Sequence, residues 1–185
     1  MKGKKAALEM SIGTIVVVVL AMTMLILGLV LIKSIMTGAK YNVDTLNDKV
    51  KGEILKLFDE DNSAPVIVYL ADNKADIKQG GDWGVAFGVK NLDSGSTAST
   101  FSYEVTSGSS VDELKTNCGI NENEALSYIS LGKTGQASII PGQIQTFLVR
   151  IQAPKTAPIC MIRYNIEVKQ GTAQYQTAFF DLNIK

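Results

Sequence analysis

Apolar positions follow two different rhythms along this 185-residue chain, and the change falls at Pro65. From Met10 to Ile32 they form a solid run, MSIGTIVVVVLAMTMLILGLVLI, 23 residues without a charge or a proline. Coiled as a helix, the run is about 34 Å long, enough for a hydrocarbon core of about 30 Å. It then thins into a stripe at Ile35, Ala39, Val43, Leu46, Val50, Ile54 and Leu57, with steps of 4, 4, 3, 4, 4 and 3. That is an eleven-residue repeat, about 3.67 residues per turn, which keeps one apolar line on a nearly straight helix. Positions between are polar, among them Asp44, Asp48, Lys49, Lys51 and Lys56. The pattern predicts one helix over 7–58, a membrane span at 10–32 and an amphipathic continuation at 33–58. Asp59, Glu60 and Asp61 oppose the dipole at a helix C-terminus, so 59–65 reads as a linker.

Beyond Pro65 the period is two. Val85, Phe87 and Val89 alternate with smaller or polar neighbours, as do Phe101, Tyr103 and Val105, Phe147, Val149 and Ile151, and Phe180, Leu182 and Ile184. The clearest run is Cys160, Ile162, Tyr164, Ile166 and Val168. With Val66–Leu70 and Gln136–Ile140, the residues 66–185 predict seven short antiparallel strands, each with one face on a core. Turn signals separate them, such as Gln79-Gly80-Gly81-Asp82, Asp93-Ser94-Gly95-Ser96, Pro141-Gly142 and Gln170-Gly171-Thr172. The fold class expected is therefore α+β: a long N-terminal transmembrane helix followed by an all-β immunoglobulin-like sandwich.

Composition narrows the function. Lys+Arg and Asp+Glu both total 18, so no basic excess marks a nucleic-acid partner. The sequence has no histidine and only two cysteines, which removes His-based acid/base catalysis, the common nucleophile pairs and most transition-metal cages. An enzyme is not expected, nor a cofactor. Asp72, Asn73, Asp76 and Asp82 carry calcium-type oxygen ligands but lack EF-hand spacing, and read as solvated loop acids. Trp83, in a Gly-rich stretch without a following Gly-Lys-Ser/Thr, reads as a core or sheet-edge aromatic.

Charge is unevenly placed. Lys2, Lys4, Lys5 and Lys33 bracket the apolar run, where Glu9 is the one acid, and 34–185 is left with a formal charge of −3. Positive flanks stay cytoplasmic, which places the sandwich outside the cell. Cys118 and Cys160 then lie in an oxidising compartment. Bridged, they stabilise the fold by about 4 kcal/mol in the loop-entropy account; the other reading is two buried thiols.

The basic leader 1–6, ending Lys4-Lys5-Ala6, followed by Ala7-Leu8-Glu9 and the long Ile/Val/Leu segment, resembles the class III signal of type IV pilin-like proteins, especially archaeal pilins and archaellins. The resemblance covers about the first 35 residues. It implies cleavage by a prepilin peptidase-like enzyme between Ala6 and Ala7, with the following helix as the assembly element. Glu9 would then meet the freed α-ammonium of a neighbouring subunit; otherwise it is an interfacial charge beside Lys4 and Lys5. The stripe at Ile35, Val43, Leu46, Val50, Ile54 and Leu57 has two partners open to it, its own sandwich and identical helices in a filament. The function expected is a structural subunit of a type IV pilus-like archaeal surface filament, for adhesion or motility. The alternative is a monomeric, membrane-anchored, extracellular immunoglobulin-like binding module.

Overall fold

The computed structural model describes residues 13–29 and 48–185. The chain divides into two compact units, Met1–Lys40 and Tyr41–Lys185.

In the first unit, helix α1 covers residues 13–29. Its Val and Ile residues have low helix propensity, but Leu, Met and Ala are interleaved and no proline interrupts it. Twelve large apolar side chains, from Ile15 to Leu29, are exposed around it, Met24 the most at 77%. At 1.5 Å per residue the described part of the helix spans about 25 Å. Among the described residues, no helix is long and apolar enough to cross a membrane.

This corrects the expected fold class. The described helices 13–29 and 48–60 are short, and the architecture is mostly β-sheet.

The first described element of the second unit is α2 (Asp48–Glu60). It runs through the acidic stretch expected to be linker, because Phe58 is fully buried and Asp61 N–H still reaches the Leu57 carbonyl at 3.0 Å. Packing outweighs the acid–dipole repulsion, which is only about 0.3–1 kcal/mol. Nine strands follow: β1 (Val66–Tyr69), β2 (Lys74–Ile77), β3 (Asp82–Lys90), β4 (Ser99–Ser107), β5 (Ile129–Leu131), β6 (Thr134–Ile139), β7 (Ile144–Gln152), β8 (Met161–Gln170) and β9 (Ala173–Ile184). Between β4 and β5 lie a short helical segment, α3 (Val111–Glu113), continued by a wider turn through Cys118, and α4 (Glu122–Ser127).

The strands form two sheets, one ordered β1-β3-β7-β5 and the other β2-β9-β8-β4-β6. Every pairing is antiparallel except β2 with β9, which is parallel. Alternate residues of both sheets meet in one core: Val85, Phe87 and Val89 from β3 with Phe147, Val149 and Ile151 from β7, against Phe101, Tyr103, Ile162, Tyr164 and Phe180 from the second sheet. The arrangement is sandwich-like. All seven strands expected from alternation are present, and β2 and β5 are additional.

The outer face of the first sheet is covered by α2. Ile54 and Phe58, one turn apart, are buried against Ala86 with Ile67, Ile144 and Leu148 around them. Gly88 lets the helix come this close: a Cβ there would lie 2.5 Å from Phe58 Cε2 and 2.8 Å from Ile54 Cγ2. Gly88→Ala is therefore expected to lower the unfolding free energy by about 1–3 kcal/mol through overpacking. Urea denaturation checks this, and an unchanged midpoint would mean that α2 does not seat on β3.

Candidate functional site

Where α2 ends its cover of the sheet, a groove of about 660 Å³ opens. Strand register creates it. β1 pairs only with Ala86–Val89, so the start of β3, from Asp82 to Val85, has no neighbour on that side. Outward positions on β3 are the small residues Gly84, Ala86 and Gly88; the helix fills the space over the last two and leaves Gly84 open. One wall is α2, through Val50 and Leu57, which lie two turns apart on one side of the helix. The other wall is Tyr69 and Ala71, with Trp83 at the start of β3 and Leu148 on the floor. Among the described residues, no charged side chain lines it.

Two groove residues are large and half in water: Trp83 is 41% exposed and Tyr69 38%. Of the two places expected for Trp83, core or sheet edge, the structure gives the edge, since β1 does not reach that part of β3. The chain leaves the groove through a 3₁₀ turn, Ala71–Asn73, in which Asp72 and Asn73 take left-handed conformations with φ of 53° and 55°. Asp and Asn tolerate that region better than other non-glycine residues, and here they redirect the chain from the first sheet to β2 in the second.

Ion pairs flank the groove without entering it. Lys56 pairs with Glu53 at 2.9 Å on α2, and Arg150 with Asp82 at 3.0 Å. The Lys56 partner holds the Glu53 carboxyl below its usual range. These groups are exposed, so the pairs contribute little to stability.

A second polar cluster lies on the outer face of the other sheet. Arg163 donates from Nε and Nη2 to both oxygens of Asp181, at 2.7 and 2.9 Å, and its guanidinium lies 4.5 Å from the Phe179 ring centroid. Asp181 is 4% exposed, so the fork neutralises a nearly buried carboxylate. Beside it Ser110 and Glu113 close a reciprocal cap on α3. The Arg163–Asp181 fork and the Ser110–Glu113 cap each satisfy their own polar groups.

The two cysteines form a bridge, Cys118–Cys160, with Cα atoms 5.5 Å apart. It ties the helical segment after β4 to the start of β8. Of the apolar stripe, Ile54 is buried on the chain's own sheet, Val50 and Leu57 are half-buried along the groove, and Ile35, Val43 and Leu46 lie outside the described residues. Ala6, Ala7 and Glu9 also lie outside them. Of the acids expected in loops, Asp72 lies in the 3₁₀ turn with Asn73, but Asp76 lies in β2 and Asp82 begins β3, and the last two are held by different partners. Asp76 accepts from Lys185 and Asn183, both at 2.8 Å, which lowers its carboxyl pKa, while Asp82 takes Arg150. Among the described residues, no group of three His, Cys, Asp or Glu side chains is placed to hold a metal ion.

Burial pushes the Tyr103 phenol up to about 12 and raises that of Tyr164, whose hydroxyl donates to the Ala125 carbonyl at 2.7 Å. A raised folded-state pKa contributes stability that is intact below the unfolded value, near 10, and is lost as pH rises toward the folded value. Unfolding free energy is thus expected to fall above pH ~10 by roughly 1–1.5 kcal/mol per pH unit for each buried tyrosine. Urea titrations between pH 9 and 12 test this; Tyr103→Phe should flatten the slope, and an unchanged slope would remove Tyr103 from the account.

No protein-family model matches the chain. No curated protein matches it either. Among solved structures it is similar to a family 123 glycoside hydrolase from Clostridium perfringens, at 14% identity and a TM-score of 0.42, over 71% of this chain and 24% of that one. It is also similar to the E. coli alpha-2-macroglobulin, at 11% identity and a TM-score of 0.41, over 66% of this chain and 7% of that one. A third is the CARDB domain of the PF1109 protein from Pyrococcus furiosus, solved with di-metal ions, at 15% identity and a TM-score of 0.40, over 65% of this chain and 85% of that one. The chain spans less than a quarter of the length of the first two. Likeness at this level assigns no activity.

Proposed function

We propose that the chain is a structural subunit of a type IV pilus-like surface filament of the archaeal kind, serving adhesion or motility. The observation that carries this reading is α1, a helix with apolar side chains exposed on all sides. Burying that surface is worth about 25 cal/mol per Å², and identical helices side by side bury it best, since each offers the others an uncharged wall. The globular unit then lies on the filament exterior, outside the cell, and the Cys118–Cys160 bridge supports an oxidising compartment for it. Before assembly the precursor associates with the membrane through its apolar N-terminal stretch. A prepilin peptidase-like enzyme frees Ala7, and Glu9 pairs with a neighbour's new α-ammonium.

The test is the N-terminal residue of the cell-associated protein by mass spectrometry, together with electron microscopy of sheared surface material. Ala7 as the first residue, in filaments that contain this chain, is the expected result. An intact Met1 on a chain that stays monomeric at the membrane would replace this reading with the anchored binding module.

A further inference from the structure

We infer that the groove beside α2 is the receptor for α1 of a neighbouring copy, so that each filament contact joins two different surfaces of the same chain. The inference rests on the filament reading and deepens it by naming the surface that receives the helix. The two surfaces match in charge. Residues 13–29 carry no charge, and neither does any side chain that lines the groove among the described residues. Seating one on the other strips water from no ion, whereas a charged peptide would have to lose its hydration against Val50, Leu57 and Leu148. The groove also has the anchors of a good contact, Trp83 and Tyr69, large aromatic side chains that are half-exposed. Because α1 is apolar on every face, it fills the groove with one side and meets neighbouring helices with the others.

Symmetry gives the proposal its consequence. A patch on one copy that fits a different patch on the next makes a heterologous contact, which propagates into an open helical array unless the rotation closes. A self-complementary face would stop at a dimer. A groove and a helix on the same chain therefore suffice, in principle, to generate a fibre.

Trp83 is the sole tryptophan, which makes the groove readable in the full-length protein. In filaments its emission is expected to move to the blue and its quenching by acrylamide to fall several-fold, relative to the same chain dispersed in detergent. A benzoylphenylalanine cross-linker in place of Tyr69, in filaments mixed from isotopically heavy and light chains, should join heavy to light chains within 13–29. Ala71→Glu and Ala71→Lys each place a charge at the exposed rim and should raise the critical concentration for assembly by about tenfold or more, with the thermal midpoint unchanged; tenfold corresponds to a loss of about 1.4 kcal/mol per contact. Filaments in which Trp83 is quenched as readily as in the dispersed chain, or in which Tyr69 cross-links to lipid, to a globular unit or to its own chain, overturn the inference and leave the filament reading standing. If no filaments form, both fall.

Discussion

Replacing Ile54 with lysine is expected to destabilise the globular unit by about 3–5 kcal/mol, because the new ammonium must either stay unpaired against Ala86 and Gly88 or pull α2 off the sheet. Detachment is the cheaper of the two, so the loss should appear first as local opening. Amide exchange over 48–60 and along β3 should accelerate before the unit unfolds in urea. Leu55→Lys, at a position 44% exposed on the same helix, is the matched control and should change little. If Ile54→Lys exchanges like the wild-type protein, α2 is not seated as described. The prediction also separates two uses of the apolar stripe. A filament defect in a Val50/Ile54 double mutant would confuse assembly with folding, since Ile54 serves the chain's own sheet. A charge at Ala71 does not, because that side chain is exposed at the groove rim.

Removal of the disulfide should have an effect of similar size. Cys118→Ser/Cys160→Ser opens a loop with a sequence separation of 42 and is expected to lower stability by about 4 kcal/mol in the loop-entropy account. For a unit of this size that is a fall of about 10–20 °C in melting temperature. Loss should begin at α3 and the turn after it, which the bridge holds against β8. Alkylation should label neither cysteine in the denatured, unreduced protein and both after reduction. Labelling before reduction, or a melting curve indifferent to reductant, would sink the prediction.

Much of the sandwich-like unit was legible because its strands bury one face. β8 reads directly, with Ile162, Tyr164, Ile166 and Val168 inward and polar residues between. The same rule does not account for Ala86, one of the smaller neighbours that alternate with the core residues of β3, which is buried under α2. The signal was present in the small residues Gly84, Ala86 and Gly88 at successive outward positions of β3, which mark a face that something covers closely. β2 was missed because Lys74–Ile77 is four residues long with Ala75 as one of its two inward side chains, and because its partner β9 is about a hundred positions away. No local pattern records a pairing of that range. The helical segments around Cys118 were written as Ser110-x-x-Glu113 and Asn121-x-x-Glu124, both of which make their caps, but without apolar runs to draw notice to them. The groove had no sequence mark, since it depends on β1 ending at Tyr69 while β3 begins at Asp82.

One pairing bears on how the unit can be made at all. β9 follows every other strand of the unit in sequence, yet it lies inside the second sheet, between β2 and β8. Until it is in place, β2 has no ladder and β8 exposes an edge, so the sheet has a gap in its middle rather than a missing border. A chain emerging from a ribosome, or crossing an export channel in sequence order with its leader held on the near side, therefore remains open until Ala173–Ile184 is free. Contacts of such range also slow closure, toward milliseconds to seconds for β-rich topologies. Such an ordering keeps the chain pliable during passage and leaves β8, for that interval, as a template that another unfinished copy can pair with.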